Sequence, residues 1–204
     1  MNTFIQQSNK IILCFVILIT SCWFLVIHSV VKAQDNLEPK IKTYRSTIKT
    51  LGDTLRTELM NAIKEGGPLK ALKVCHVRAP EISQQIAQQS GFKVGRTSLK
   101  TRNTAHTPDS WEEKILKNFE ERRAKGEDLQ SMEHYEVIEQ AGQRRIRYMK
   151  AIPTAELCLT CHGQTISPEI QTQLKVLYPQ DQAIGFKVGD LRGAFTLTEI
   201  ITPP

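Results

Sequence analysis

A Cys-x-x-Cys-His motif lies in the carboxyl-terminal part of the chain, where Cys158 and Cys161 are followed directly by His162. This is the spacing that attaches a c-type haem. Each thiol can add to one vinyl group. Because the two cysteines lie about one helical turn apart, the next residue is carried beneath the macrocycle, where His162 can bind the iron. We therefore predict one covalent haem c with His162 as an iron ligand.

Three other interpretations of the motif stay open at this point. The two cysteines could form a thioredoxin-like redox pair, supply half of a zinc site, or owe their spacing to chance. The sequence contains no second Cys-x-x-Cys that would complete a zinc knuckle. The motif and its context together favour haem.

The amino-terminal segment is typical of an exported protein. Lys10 precedes a long apolar run, residues 11–31, and small or apolar residues around Ala33 offer a signal-peptidase site. We predict that residues 1–33 are a signal peptide and that residues 34–204 form a single c-type haem domain. The apolar run, about 20 residues, is also long enough to act as an uncleaved membrane anchor. We expect a periplasmic or lumenal protein, soluble after cleavage near Ala33 or anchored.

Cleavage of the leader would leave one cysteine without a partner. It removes Cys14 and Cys22 and leaves Cys75, Cys158 and Cys161. Two of these are assigned to the haem, so Cys75 has no disulfide partner in a compartment where free thiols tend to be oxidised. A bond to a metal would protect this thiol.

The charge of the chain is mildly basic and indicates no nucleic-acid partner. Loss of Lys10 and Lys32 with the leader, and of no acidic residue, lowers the formal charge from +6 to +4. Basic residues alternate with glutamates, as in residues 121–127, which indicates a solvated surface. We expect a separate redox partner protein, and membrane contact only through an uncleaved anchor.

The hydrophobic spacing predicts helices first and strands later. Residues 38–65 should form one long amphipathic helix that ends at Gly66, and Pro80 should separate two further helices. The remaining predicted elements are strands at 92–96 and 98–102, a helix from 110, strands at 132–139 and 145–152, helices from 154 and 168, and strands at 185–189 and 194–201. This order predicts the α+β class with an antiparallel sheet.

Several residues are candidates for the second axial position of the iron. Cys75 lies on the predicted inward face of a helix, and its neighbour His76 is turned about 100° away. Three further candidates lie on predicted strands, where a methionine usually fills the core and a histidine is usually a partly exposed polar residue. They are Met132, His134 and Met149. The unpaired thiol favours Cys75, with His76 next.

Positively charged residues near the first predicted strand are candidates for contact with the haem propionates. Arg96, Lys100 and Arg102 could pair with them, since guanidinium groups match carboxylates bidentately. The alternative for each of the three is a solvated strand edge. The sequence does not decide between these roles.

Five stretches of the mature region form a combination typical of one family. They are residues 75–80 (CHVRAP), 94–103 (VGRTSLKTRN), 108–112 (PDSWE), the haem motif and 189–194 (GDLRGA). With them the chain resembles the single-haem c-type cytochrome domain with a PAS-like fold, first catalogued as a domain of unknown function. The resemblance implies a PAS-like antiparallel sheet with a long N-terminal helix and flanking helices, and an iron held by His162 and Cys75.

The chain departs from the family pattern at one loop. Thr104 and His106 stand where proline and asparagine are more familiar. His106 is therefore either a contact at the haem edge or an exposed loop residue.

These observations lead us to expect an exported monohaem cytochrome for low-potential electron transfer. A thiolate stabilises ferric iron more than a thioether does, so a His/Cys site should have a low potential. The alternative is a sensor of redox state or of carbon monoxide or nitric oxide that acts through a separate partner. A peroxidase would need an open iron face, which Cys75 would fill, so we expect no enzyme and no catalytic residues.

Overall fold

The computed structural model describes residues 37–140 and 142–201. The predicted leader at residues 1–33, with Cys14 and Cys22, lies outside the described residues. The chain divides into two compact units, residues 1–43 and 44–204. The described part of the first unit is the start of a helix. No helix among the described residues is long and apolar enough to cross a membrane.

The second unit combines helices with one antiparallel sheet. The helices and strands are α1 (Leu37–Ser90, which begins in the first unit), β1 (Lys93–Thr97), α2 (Ser110–Ala124), β2 (Glu133–Gln140), β3 (Gln143–Pro153), α3 (Glu156–His162), α4 (Pro168–Leu177) and β4 (Leu191–Ile201). Within the described ranges the sheet has four strands in the order β1-β4-β3-β2, and every pair is antiparallel. The predicted α+β class is confirmed, and the arrangement is consistent with a PAS-like fold.

Helix α1 is interrupted at one of the two places that the sequence predicts. Gly66 and Gly67 leave the helical conformation, Gly67 with a φ of 70°, so the predicted end of the first helical segment is confirmed. The predicted break at Pro80 is wrong, because the helix continues to Ser90. Proline removes one helical hydrogen bond. The segment around it is held instead by burial of Ile82 and Ile86, which are 2% and 7% exposed.

Helix α2 begins at a capping box and packs against the sheet. The Asp109 carboxylate accepts from the Glu112 amide at 2.9 Å, and the Glu112 carboxylate accepts from the Asp109 amide at 3.2 Å. The core beneath α2 consists of Ile115, Leu116, Phe119, Leu129, Met132, Met149, Ala151, Leu191 and Ala194. Two of the candidate axial ligands, Met132 and Met149, are therefore fully buried core residues.

Two predicted strands are absent from the described structure. Residues 98–102 form a loop, in which the Ser98 hydroxyl accepts from the Lys100 amide at 3.2 Å and donates to the Arg192 carbonyl oxygen at 2.8 Å. Residues 185–189 contain a single bridge, because Gly185 and Gly189 have φ values of 82° and 83°, outside the β region. Both predictions are wrong because side-chain bonds and glycine conformations in these segments outweigh the hydrophobic pattern.

Candidate haem-binding cavity

One cavity of the second unit gathers side chains from distant parts of the sequence. Its volume is about 280 Å³, close to the range of roughly 300–1,000 Å³ that small-molecule sites occupy. Cys75 of α1 and Cys158, Cys161 and His162 of α3 all line it. Its other charged or aromatic lining residues are Arg96, Arg102, His106, Tyr178 and Arg192.

The segment that follows α4 holds helix α3 at both of its ends. Before the helix, the Thr154 amide donates to the Asp190 carbonyl oxygen at 2.8 Å. The Gly189 amide donates to the Thr154 carbonyl oxygen at 2.9 Å. At its end, the Phe186 amide donates to the carbonyl oxygen of His162 at 3.0 Å. The helix that carries the Cys-x-x-Cys-His motif is thus fixed by backbone bonds to one neighbouring segment.

The imidazole of His162 is prepared to bind a metal through one defined nitrogen. Its Nδ1 lies 2.7 Å from the carbonyl oxygen of Ala183. A carbonyl only accepts hydrogen bonds, so Nδ1 carries the proton and Nε2 keeps its lone pair. Burial, followed by the positive charges of Arg192 and Arg102, lowers the pKa of His162 well below its ordinary value. The neutral ring is the form that ligates iron.

Arg102 is tied to the protein around His162. Its Nε donates to Asp181 Oδ2 at 3.1 Å, and its Nη2 donates to the carbonyl oxygens of Ala183, at 3.1 Å, and Cys161. The other oxygen of Asp181 accepts from the Ala183 amide at 2.8 Å. The two charged side chains are each 10% exposed. Arg102 and Asp181 therefore position the carbonyl group that orients the imidazole.

Two further arginines, both partly buried, line the cavity. Arg96 of β1 has an Nε that is buried and makes no hydrogen bond in the described structure, and burial lowers the pKa of this side chain. Arg192 of β4 donates from Nη1 to Ser98 Oγ at 3.1 Å and to the Lys100 carbonyl oxygen at 3.3 Å. Burial, together with Arg102 and Arg96, lowers the pKa of Arg192 to about 10. Arg192 is not among the residues predicted from the sequence, although it lies within the GDLRGA stretch that carries the family resemblance.

Several residues predicted from the sequence to contact the haem or its iron lie away from the cavity. Lys100 is exposed, and its ammonium group lies 5.4 Å from the centre of the Phe186 ring. His76 is exposed and its ring contacts Tyr178 edge-on at 5.0 Å. His134 of β2 lies 5.8 Å from the Trp111 ring. None of these three candidates lines the cavity, whereas the loop residue His106 is half-buried and does.

The thiols of the cavity are unpaired, and their surroundings differ. Cys75, Cys158 and Cys161 form no disulfide. Burial raises the pKa of the Cys75 thiol, and the positive charges of Arg96 and Arg102 oppose that rise. Burial also raises the pKa of Cys161.

The donor set of the cavity fits a haem better than a bare metal ion. Across residues 37–140 and 142–201, no group of three or more His, Cys, Asp or Glu side chains could hold a metal ion. The tetrahedral zinc set is therefore not assembled by these residues. A c-type haem brings its own four nitrogen ligands and needs two thiols for its vinyl groups, further ligands for its iron and partners for its carboxylates. The cavity contains side chains of each kind.

Comparison with known proteins shows where the chain belongs. The model of the Tll0287-like family matches residues 26–199. The chain belongs to the Tll0287-like family. The crystal structure of the cyanobacterial heme-protein Tll0287 is similar, with a TM-score of 0.61 and 22% sequence identity, and the match covers 81% of this chain and 98% of that chain. At this identity the similarity shows that this Tll0287-like chain shares the fold. No curated protein matches the sequence.

Proposed function

We propose that this protein is an exported monohaem c-type cytochrome that transfers electrons at low potential. The observation that carries the proposal is the shared cavity, in which the Cys-x-x-Cys-His motif of α3 and Cys75 of α1 meet beside buried arginines. The relative with the same fold, Tll0287, is a heme-protein. We extend that property to this chain on the strength of its own cavity residues.

Each cavity residue has a defined part in this proposal. Cys158 and Cys161 would hold the haem covalently, and His162 Nε2 and the Cys75 sulfur would bind its iron. A bound haem would supply reversible one-electron transfer. The Nδ1–H of His162 donates to the Ala183 carbonyl oxygen, 2.7 Å away, and this bond holds the ring in one orientation. Cys75 as a thiolate would add negative charge beside a bound iron and favour its oxidised form.

Ligation by Cys75 also explains why we propose a carrier and no enzyme. With two protein ligands on the iron, no coordination position would be open for a substrate, so the protein would need no catalytic residues. Its partner would be a separate redox protein. We further propose that the chain is exported and cleaved near Ala33. The amino-terminal residue of protein purified from a haem-attaching periplasm tests this, since retention of the leader would leave the protein anchored.

The decisive experiment is the absorption spectrum of the ferric protein, produced with a c-type haem maturation system. We expect covalent haem and low-spin bands with thiolate character. Cys75→Ser should change these bands, because a hydroxyl is a poor iron ligand, and the exposed neighbour His76→Ala is the matched control that should leave them unchanged. A high-spin five-coordinate spectrum of the wild type would contradict His/Cys ligation.

Carbon monoxide separates electron transfer from gas sensing. An unchanged spectrum after carbon monoxide is added to the ferrous protein supports a carrier whose ligands both stay in place. A ligand-bound spectrum would support the sensor instead, with Cys75 released on reduction. The midpoint potential then tests the low-potential assignment, and Cys75→Met should raise it because a thioether stabilises ferric iron less than a thiolate.

A further inference from the structure

Two arginines whose side chains are almost fully buried each have a carboxylate partner. Arg147, with its side chain 11% exposed, contacts Asp109 at 2.8 Å and Glu112 at 3.1 Å. Arg102 is paired with Asp181 in the same manner. This pattern is expected, because an unpaired buried charge is strongly unfavourable.

Arg96 and Arg192 depart from this pattern. Neither makes an ion pair with a carboxylate in the described part of the chain, although both are partly buried, the Nε of Arg96 is fully buried, and both line the cavity. Because both guanidinium groups are positive, each makes the charged form of the other less favourable. Two neighbouring, partly buried cations that lack a carboxylate partner point to an anionic ligand that supplies one.

The ends of β1 and β4 bring these two side chains to the same cavity. The strands pair Thr97 with Ala194, so Arg96 and Arg192 flank that pair. The approach is close, because a Cβ at Gly193 would lie 2.4 Å from the Thr97 carbonyl oxygen. Arg192 is then held by its bonds to the Ser98 hydroxyl and the Lys100 carbonyl oxygen.

We propose that Arg96 and Arg192 form a carboxylate subsite, which receives the propionates of the haem. This inference rests on the proposed function and changes its residue assignment. Arg102, a sequence candidate for this role, already donates to Asp181 and to two carbonyl oxygens, and Lys100 lies outside the cavity. A planar guanidinium suits the task because two of its N–H groups match the two oxygens of one carboxylate.

Infrared spectroscopy of the holoprotein with ¹³C-labelled propionates tests this subsite. The label assigns the carboxylate bands to the haem, and their protonation is followed as the pH falls. In the wild type we expect the propionates to stay ionised below the ordinary carboxyl range. Arg192→Gln and Arg96→Gln should each raise the pH of protonation by roughly one to three units, since an adjacent cation lowers a carboxyl pKa by that much. The exposed Arg144→Gln is the charge-matched control and should leave it unchanged.

The outcomes separate this proposal from the proposed function. Covalent haem in the wild type with propionates that protonate in the ordinary range would overturn the subsite and leave the cytochrome assignment standing. Absence of covalent haem from the wild type would overturn both. If a glutamine variant does not fold, Arg192→Lys and Arg96→Lys retain the charge. An upward shift smaller than the one expected for the glutamine variants supports the subsite. Even without any variant, wild-type propionates that protonate in the ordinary carboxyl range would overturn it.

Discussion

Asp181→Ala should destabilise the protein strongly, because it leaves the buried guanidinium of Arg102 without its carboxylate partner. The charged atoms of this pair are 3.1 Å apart and both side chains are 10% exposed. Removal of one partner of a buried pair costs roughly 3–5 kcal/mol of unfolding free energy. The carbonyl oxygens of Cys161 and Ala183 still accept from Arg102 in the variant, which brings this loss below that range, to about 2–3 kcal/mol.

A second contribution comes from the backbone that the same carboxylate holds. The Ala183 amide donates to Asp181 Oδ1 at 2.8 Å and loses this acceptor in the variant, which costs about 1 kcal/mol. The expected total is about 3–4 kcal/mol. Since small domains are stable by roughly 5–15 kcal/mol, the variant should still fold and can be measured.

Urea unfolding of the holoprotein, followed by circular dichroism, gives the loss directly. The matched control is Asp53→Ala, which removes the carboxylate that pairs with Lys49. The Lys49 and Asp53 side chains are 75% and 63% exposed. Such a surface pair contributes below about 0.5 kcal/mol. The reasoning is refuted if Asp181→Ala loses no more stability than Asp53→Ala. A change in the haem spectrum of Asp181→Ala alone would further show that the pair orients His162.

Two more predictions concern the neighbourhood of the cavity. Gly193→Ala should lose about 1–3 kcal/mol, since its φ of 156° and a Cβ 2.4 Å from the Thr97 carbonyl oxygen both oppose a side chain. Gly95→Ala, with 3.8 Å to its nearest neighbour, is the thermal-denaturation control, and equal losses would contradict the clash. Burial, with two nearby arginines, lowers the pKa of His106 to about 4. The unfolded chain therefore binds a proton at His106 below about pH 6.5 while the folded chain does not, and the free energy of unfolding falls as the pH drops toward 4. In urea unfolding, His106→Gln should make the decrease between pH 7 and 5 smaller by roughly 1–2 kcal/mol. No difference from the wild type is expected if His106 titrates normally.

Elements whose signals are local were predictable from the sequence. The capping box of Asp109 and Glu112 lies within one helical turn, so residue spacing alone identifies the start of α2. The Cys-x-x-Cys-His spacing likewise lies on one short helix, α3. The hairpin of β2 and β3 follows from strand periodicity and a turn at Gly142, whose φ is 71°.

Elements that depend on distant partners were not predictable. The hydrophobic pattern predicts a strand at residues 98–102, but Arg102 there bonds to Asp181, 79 residues away in sequence. Nothing in the local sequence distinguishes this paired arginine from Arg96, which lines the same cavity without a carboxylate partner.

The sequence by itself determined which chemical groups the protein offers for the proposed haem: two spaced thiols, the adjacent histidine and one further cysteine. Only the tertiary structure decided which cations accompany them, with Arg192 inside the cavity and Lys100 outside it. The physical reason is the range of the interactions. Motif spacing acts within one helical turn, whereas the burial and pairing of a charge depend on strands and loops that meet only in the folded chain.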